Sequence, residues 1–498
     1  MDLFGNLFFG FGVALTLQNL LYCFIGVLVG TLIGVLPGIG PLGTIAMLMP
    51  ITFGVSPVGA LIMLAGIYYG AQYGGSTTAI LVNLPGETAA VVTCIDGYQM
   101  ARQGRAGPAL AVAAIGSFFA GTVGTLLIAL FGPPLAELAL KFAAPEYFSL
   151  MLMSLVAAAV LAQGDMIKSL AMVAMGLLLG IVGTDVNTGA QRFSLGITEL
   201  TDGIGFIVVA VGVFAVGEII NNLGTTSERV LFTSKVRNLF PSREDLKHSL
   251  GPILRGTAIG AFFGVLPGTG PAIASFSSYV VEKKIAQDPS RFGRGAIEGV
   301  AGPESANNAD AQCKFIPMLT LGLPASGVMA LLLGALTIHG IQPGPEVMTM
   351  RPELFWGLIA SMWIGNLMLV VLNLPMIGLW VKLLAVPYRL LFPAIMAFSA
   401  IGIYSVNNSS FEIYLTALFG ILGFVWLKLG FPLAPMLLGF VLGPMVEEHL
   451  RRAMLMSGGD PSVFIRRPIS LAFLIATVLI LIVMVAPAVR KRHQEITD

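Results

Sequence analysis

The run Glu304-Ser305-Ala306-Asn307-Asn308-Ala309-Asp310 gathers two carboxylates, two amides and a hydroxyl, and Lys314 follows one helical turn beyond Asp310. That i,i+4 spacing allows either a structural ion pair holding two helices or a charged part of a binding site or cation pathway. A charge at the centre of a spanning helix costs about 2.5–3.5 kcal/mol, which favours a function for it. An earlier run, Gly74-Gly75-Ser76-Thr77-Thr78, supplies hydroxyls ahead of Asn83-Leu84-Pro85-Gly86. Amides and hydroxyls both donate and accept, so these residues suit an oxygen-rich ligand and its counter-ion.

Covalent chemistry is poorly provided for. Ser326 and His339 could form a dyad for an intramembrane serine hydrolase, but no acid or second donor is placed to orient the histidine. Gly38, Gly40 and Gly43 spell a dinucleotide fingerprint, yet positions 58–65 hold no acid for a ribose. There is no H-E-x-x-H and no Cys/His cluster, and Cys23, Cys94 and Cys313 stand alone in apolar surroundings as packing residues. The expectation is therefore no enzyme and no cofactor.

The polar runs lead into helix breakers. Gly34-Val35-Leu36-Pro37-Gly38-Ile39-Gly40-Pro41 returns 230 residues later as Gly264-Val265-Leu266-Pro267-Gly268-Thr269-Gly270-Pro271. The Asn83-Leu84-Pro85-Gly86 break returns as Gly322-Leu323-Pro324-Ala325 at an offset of 239, with alanine replacing the last glycine. A helix interrupted inside a membrane leaves unpaired N–H or C=O groups, carrying about half an elementary charge at each end. Helix starts attract anions and unwound carbonyls attract cations, so paired breaks in two halves point to a transport site. Pro37, Gly38, Gly40, Pro85, Gly86, Pro267, Gly268, Gly270 and Pro324 are its backbone candidates. Ser76, Thr77, Asn83, Asn307, Asn308, Asp310, Lys314 and Ser326 are its side-chain candidates. Asn83, Glu87 and Asp310 offer oxygens for a sodium ion; no other metal is expected. Glu87 falls in the first turn of the helix after its break, where it either caps or binds an ion. Asp96, beside Gly97, reads as a solvated loop acid, and Glu218 as reaching the membrane interface.

The whole chain must hold these segments in a bilayer. Its 498 residues are 56% hydrophobic and 11% charged, with a mean hydropathy of +0.89, too little polar surface for a soluble protein of this size. Runs such as Phe206 to Ile220 and Leu471 to Val489 are unbroken, which argues for spanning helices rather than the alternating strands of a barrel. The expected fold is all-α and polytopic, with about 11–14 hydrophobic segments, some broken or re-entrant. Gly26, Gly30 and Gly34, and Gly66, Gly70 and Gly74, have the spacing of close helix packing. A net charge of +1 without a dense basic cluster argues against nucleic acid, and no Lys or Arg precedes Arg102 as in a cleaved signal peptide.

Residues 1–222 and 251–498 divide as two membrane repeats, joined by a polar linker, 223–250, whose basic excess places it in the cytoplasm. Equivalent loops carry opposite bias. The loop at 52–57 has no basic residue, whereas its counterpart has Lys283, Lys284, Arg291 and Arg294; Arg102 and Arg105 face only Arg351. Residues 184–202 hold one Arg, whereas 444–467 hold Arg451, Arg452, Arg466 and Arg467. Such a reversal is expected of two inverted repeats, with the N-terminus outside.

Gly34 to Pro41, Tyr69 to Ser76, Pro85-Gly86, Asp96 to Arg105, Gly183-Thr184-Asp185, Gly264 to Pro271, Gly295 to Asn308 and Leu321 to Pro324 resemble the large membrane subunit of the tripartite tricarboxylate transporter family. The resemblance implies a permease of the bacterial inner membrane. Its implied partners are a small four-helix membrane subunit and a periplasmic solute-binding protein that delivers a carboxylate. It also implies import of di- or tricarboxylates on a Na⁺ or H⁺ gradient, without ATP. A passive carboxylate or ion channel is the alternative.

Overall fold

Proline at the first helical position and glycine just before it start helices well, and this chain uses the pair twice inside apolar sequence. The computed structural model describes residues 3–36, 40–162, 165–185, 188–223, 239–383 and 388–497. Pro37 and Gly38 lie outside them, as does most of the linker. The protein is an all-α, polytopic membrane protein. Among the described residues six helices are long and apolar enough to cross a membrane, and six shorter apolar helices accompany them. Among the described residues the strands are one two-residue antiparallel pair, Gly183–Thr184 with Gln191–Arg192.

Both breaks recur with the same local geometry. The helix Leu17–Val35 ends at Leu36 (φ −87°, ψ 103°), whose N–H donates to the Ile33 carbonyl. Its counterpart Arg243–Val265 ends at Leu266 (φ −81°, ψ 125°), whose N–H donates to Phe263. Each chain then restarts from an extended glycine, Gly40 before Pro41–Leu48 and Gly270 before Pro271–Ile285. The second kind of break is a left-handed cap: Asn83 (φ 56°) closes Pro57–Val82 and Gly322 (φ 68°) closes Phe315–Leu321.

The glycine rows explain how the halves are built. An added Cβ at Gly26, Gly30 or Gly34 would come within 2.3–2.4 Å of the carbonyl oxygens of Met63, Ile67 and Ala71. At Gly256, Gly260 and Gly264 it would come within 2.2–2.7 Å of those of Gly302, Ala306 and Asp310. The glycines are offset by 230 residues and their partners by 239, the offsets of the two motif pairs. Helix Leu17–Val35 therefore packs on Pro57–Val82 in the same register as Arg243–Val265 packs on Glu298–Cys313. Gly66, Gly70 and Gly74 face back onto Val27, Gly26 and Thr31, so the two rows of the first half close on each other.

The helix Arg243–Val265 begins within the polar stretch before position 251. Ser242 caps it, its hydroxyl accepting from Asp245 N–H at 3.0 Å while Asp245 accepts from Ser242 N–H at 3.1 Å. Asp245 also pairs with Arg105 at 2.5 Å, which ties this helix start to the first half.

Candidate functional site

The most polar helix is among the most buried. Every residue from Gly299 to Cys313 is buried, enclosed by Pro57–Val82, Arg243–Val265 and the long helix Ala106–Ala139. Small residues let Ala106–Ala139 approach: a Cβ at Gly116 would meet the Ser305 hydroxyl at 2.6 Å, and one at Gly121 the Asn366 amide at 2.0 Å. Burying a polar face costs unless each group finds a partner, so the partners define the site.

Glu304 is fully buried. One carboxylate oxygen accepts from Ser76 Oγ at 2.6 Å and the other from Thr93 Oγ1. Asn308 donates to Ser117 Oγ at 2.7 Å and to the Glu304 carbonyl at 3.0 Å. Asn307 donates to Glu87 Oε1 at 2.8 Å. Tyr73 donates to Asn366 at 3.1 Å. Asp310 and Lys314 are an ion pair with both side chains at 0% exposure, at the joint between Glu298–Cys313 and Phe315–Leu321. Oδ1 of Asp310 and Oδ1 of Asn307 are buried acceptors with no donor. A narrow cavity beside Glu304 is lined by Tyr73, Ser76, Thr77, Ser117 and Asn373. It has room for about one water, too little for an organic anion in this conformation.

The expected residues divide. Ser76, Thr77, Asn307, Asn308, Asp310 and Lys314 share this polar core, and Glu87 joins them. Glu87 is not in a helical first turn: it lies in the bent stretch 83–89, and the next helix starts at Ala90, so it caps nothing. Asn83 is exposed at its left-handed cap, whereas Glu87 and Asp310 are buried. Ser326 caps Gly327–Ile338 by accepting from Met329 N–H at 3.3 Å, while His339 ends the same helix. Twelve residues at 1.5 Å each separate the two by about 18 Å, so the hydrolase dyad does not form. Gly86 and the half-buried Pro85 belong to a contact between breaks: a Cβ on Gly86 would lie 2.1 Å from the Gly34 carbonyl oxygen. In the second half, Gly268 (φ +80°) donates its N–H to Ala325 O at 3.0 Å, joining Pro267-Gly268 to Pro324-Ala325.

One acid departs from expectation. Asp96 lies within Ala90–Arg102 at 0% exposure. Its Oδ1 accepts from the N–H groups of Gly293, Gly295 and Ala296 at 2.8–2.9 Å, and Oδ2 from Tyr279 at 2.9 Å. It is a buried anchor for a turn some 200 residues away rather than a solvated loop acid. Asp96→Ala strands three backbone donors and is expected to cost about 3 kcal/mol or more, seen as a lowered melting temperature of the purified protein; an unchanged melt would contradict the anchoring role. Glu218 follows the π-helical turn Val211–Val216 and is half-buried. Its carboxylate meets the Gly40 backbone N–H, and a Cβ at Gly43 would lie 3.3 Å from it.

Residues 20–438 match the family model of the tripartite tricarboxylate transporter TctA family. The chain belongs to that family. This TctA chain is also 58% identical, over 100% of its length and 99% of the relative's, to an uncharacterized 52.8 kDa protein in the TAR-I ttuC′ 3′ region of Agrobacterium vitis. It is 57% identical to an uncharacterized protein in the TAR-II ttuC′ 3′ region of Agrobacterium vitis, over 48% of this chain and 98% of that one. No solved structure matches it.

Glu304 stands in the polar run but not among the side-chain candidates, and Thr93, Ser117, Asn366 and Asn373 stand in no motif. An acid within a buried helix and without a base one turn away was the available signal for Glu304. The hydroxyl and amide partners sit on helices distant in sequence, and no local pattern marks them. Among the described residues no group of three or more His, Cys, Asp or Glu side chains could hold a metal ion.

Proposed function

We propose that this TctA chain is the permease of a binding-protein-dependent secondary transporter that imports di- or tricarboxylates on a Na⁺ or H⁺ gradient. Its partners on this reading are a small four-helix membrane subunit and a periplasmic solute-binding protein, in a bacterial inner membrane. The observation that carries it is the pairing of buried carboxylates. Glu146, Asp185, Glu282 and Asp310 each meet Arg or Lys, and Asp96 meets backbone donors. Glu87 and Glu304 meet only neutral amide and hydroxyl groups. Buried carboxylates without a base call for a mobile cation, and a cation is what anion import needs. Moving an anion inward against a negative interior costs about 2.3 kcal/mol per charge per 100 mV.

Glu87, with the free oxygens of Asn307 and Asp310, supplies oxygen donors for Na⁺. The helix starts at Gly40 and Gly270 supply N–H groups for a carboxylate. The matched breaks, with opposite charge in equivalent loops, favour two inverted repeats that alternate access around the polar core. The test of the tripartite arrangement is uptake of a carboxylate panel into proteoliposomes holding both membrane subunits. Uptake is expected to saturate with substrate and to require the binding protein. Equal uptake without it contradicts that arrangement, and non-saturating flux through a steady conductance would indicate a channel.

A further inference from the structure

We propose that Glu304, hydrogen-bonded to Ser76 and Thr93, is the proton-binding site of this transporter, separate from the Glu87, Asn307 and Asp310 oxygens. The proposal rests on the transport reading above and adds which group carries the proton.

Hydrogen-bond accounting points to it. The Ser76 hydroxyl has one proton but two acceptors in reach, Glu304 Oε2 at 2.6 Å and the Gln72 carbonyl at 3.0 Å. With a proton on Oε2, the Glu304 carboxyl donates to Ser76 Oγ and the Ser76 proton serves Gln72, so every short contact has its hydrogen. Without it, Ser76 must give up Gln72 to serve the carboxylate. The surroundings favour the protonated arrangement. The titratable groups facing Glu304 are Tyr73 on Pro57–Val82, Cys94 on Ala90–Arg102 and Glu87 in the bend between them. None is a cation. On Glu298–Cys313 itself Asp310 is engaged by Lys314, and on Arg243–Val265 Arg255 is engaged by Glu282. The long helix Ala106–Ala139 presents the neutral Ser117, and Pro352–Asn373 the neutral Asn373.

The proton has a route and a consequence. The narrow cavity beside Glu304 has room for about one water, and a water there could hand a proton to Oε2 and take it back with no other bond changing. Ser76 adjoins Gly75, whose Cα lies 2.6 Å from where a Cβ on Gly86 would stand. Exchange of the Ser76 hydrogen bond is thus one residue from the contact between the two breaks of the first half.

The test uses the full chain with its small membrane subunit in lipid, with protons as the only probe in the first arm. Infrared difference spectra between acid and alkaline buffer are expected to show the C=O stretch of a buried carboxylic acid. Glu304→Gln should remove that band and Glu304→Asp should displace it. No band removed by Glu304→Gln, or a band unmoved in Glu304→Asp, overturns the proposal. In the second arm, each co-transported proton raises accumulation about tenfold per unit of imposed pH gradient, and Glu304→Gln is expected to lose one such factor. A variant that keeps the full gain overturns Glu304 as the coupling site. A titrating Glu304 band in a wild-type preparation that moves no carboxylate supports the proton site and counts against the transport reading alone.

Discussion

Asp310→Asn is expected to destabilise the protein by about 3–5 kcal/mol and to abolish uptake, because it leaves the ammonium of Lys314 buried and unpaired. Both side chains have no exposure, and no other acid pairs with Lys314 among the described residues. Lys314→Met is expected to do similar damage from the other side, by stranding the carboxylate. The double variant Asp310→Asn, Lys314→Met removes both charges together and is expected to recover much of the lost stability, since a buried pair replaced as a unit often costs little. Uptake should not return with it, because the double variant lacks the negative charge of Asp310, whose Oδ1 is a buried acceptor with no donor. Thermal unfolding of the purified proteins separates the two roles from each other. Recovery of stability without uptake supports a site role for Asp310, and recovery of both reduces the pair to a structural joint. Wild-type stability in Asp310→Asn would contradict the burial argument itself.

The second large effect is steric. Gly86→Ala places a methyl group about 2.1 Å from the Gly34 carbonyl oxygen and 2.6 Å from the Gly75 Cα. Both neighbours are backbone, so neither can rotate away and the break must shift. Overpacking of this kind costs about 1–3 kcal/mol, and here it also pushes apart the two interruptions of the first half. The second half carries Ala325 at the equivalent position, fully buried and accommodated, with its carbonyl accepting from Gly268 N–H. Ala325→Gly is therefore expected to be much milder than Gly86→Ala. Melting temperature and uptake measured side by side for the two variants give the comparison. Equal effects in both would contradict the asymmetry.

The breaks were legible because proline and glycine act locally: a missing N–H or an absent Cβ restricts the chain wherever it falls. The glycine rows were legible for the same reason, and the structure supplies the carbonyls they meet. Residues whose environment comes from distant chain were harder to read. Asp96 looked like a loop acid because the three N–H groups it holds lie at Gly293, Gly295 and Ala296. Glu304 has no local sign of its role because Ser76 and Thr93 reach it from 228 and 211 residues away. Asn221 and Asn222 after Glu218 are local polar signals, whereas the Gly40 N–H that its carboxylate meets is distant in sequence. The hydroxyl of Ser326 fitted a nucleophile in composition and a helix cap in place. In each case residue type was informative about capacity, and tertiary packing decided what that capacity was used for.

The central claim is cation-coupled carboxylate import around the polar core of Glu87, Glu304, Asn307 and Asp310. Its most direct measurement is carboxylate accumulation in sealed proteoliposomes containing both membrane subunits and the binding protein, without ATP and with an imposed Na⁺ or H⁺ gradient. Accumulation above the external concentration, collapsing when the gradient is dissipated, is the predicted result. Equilibration to the external concentration regardless of either gradient would contradict the account.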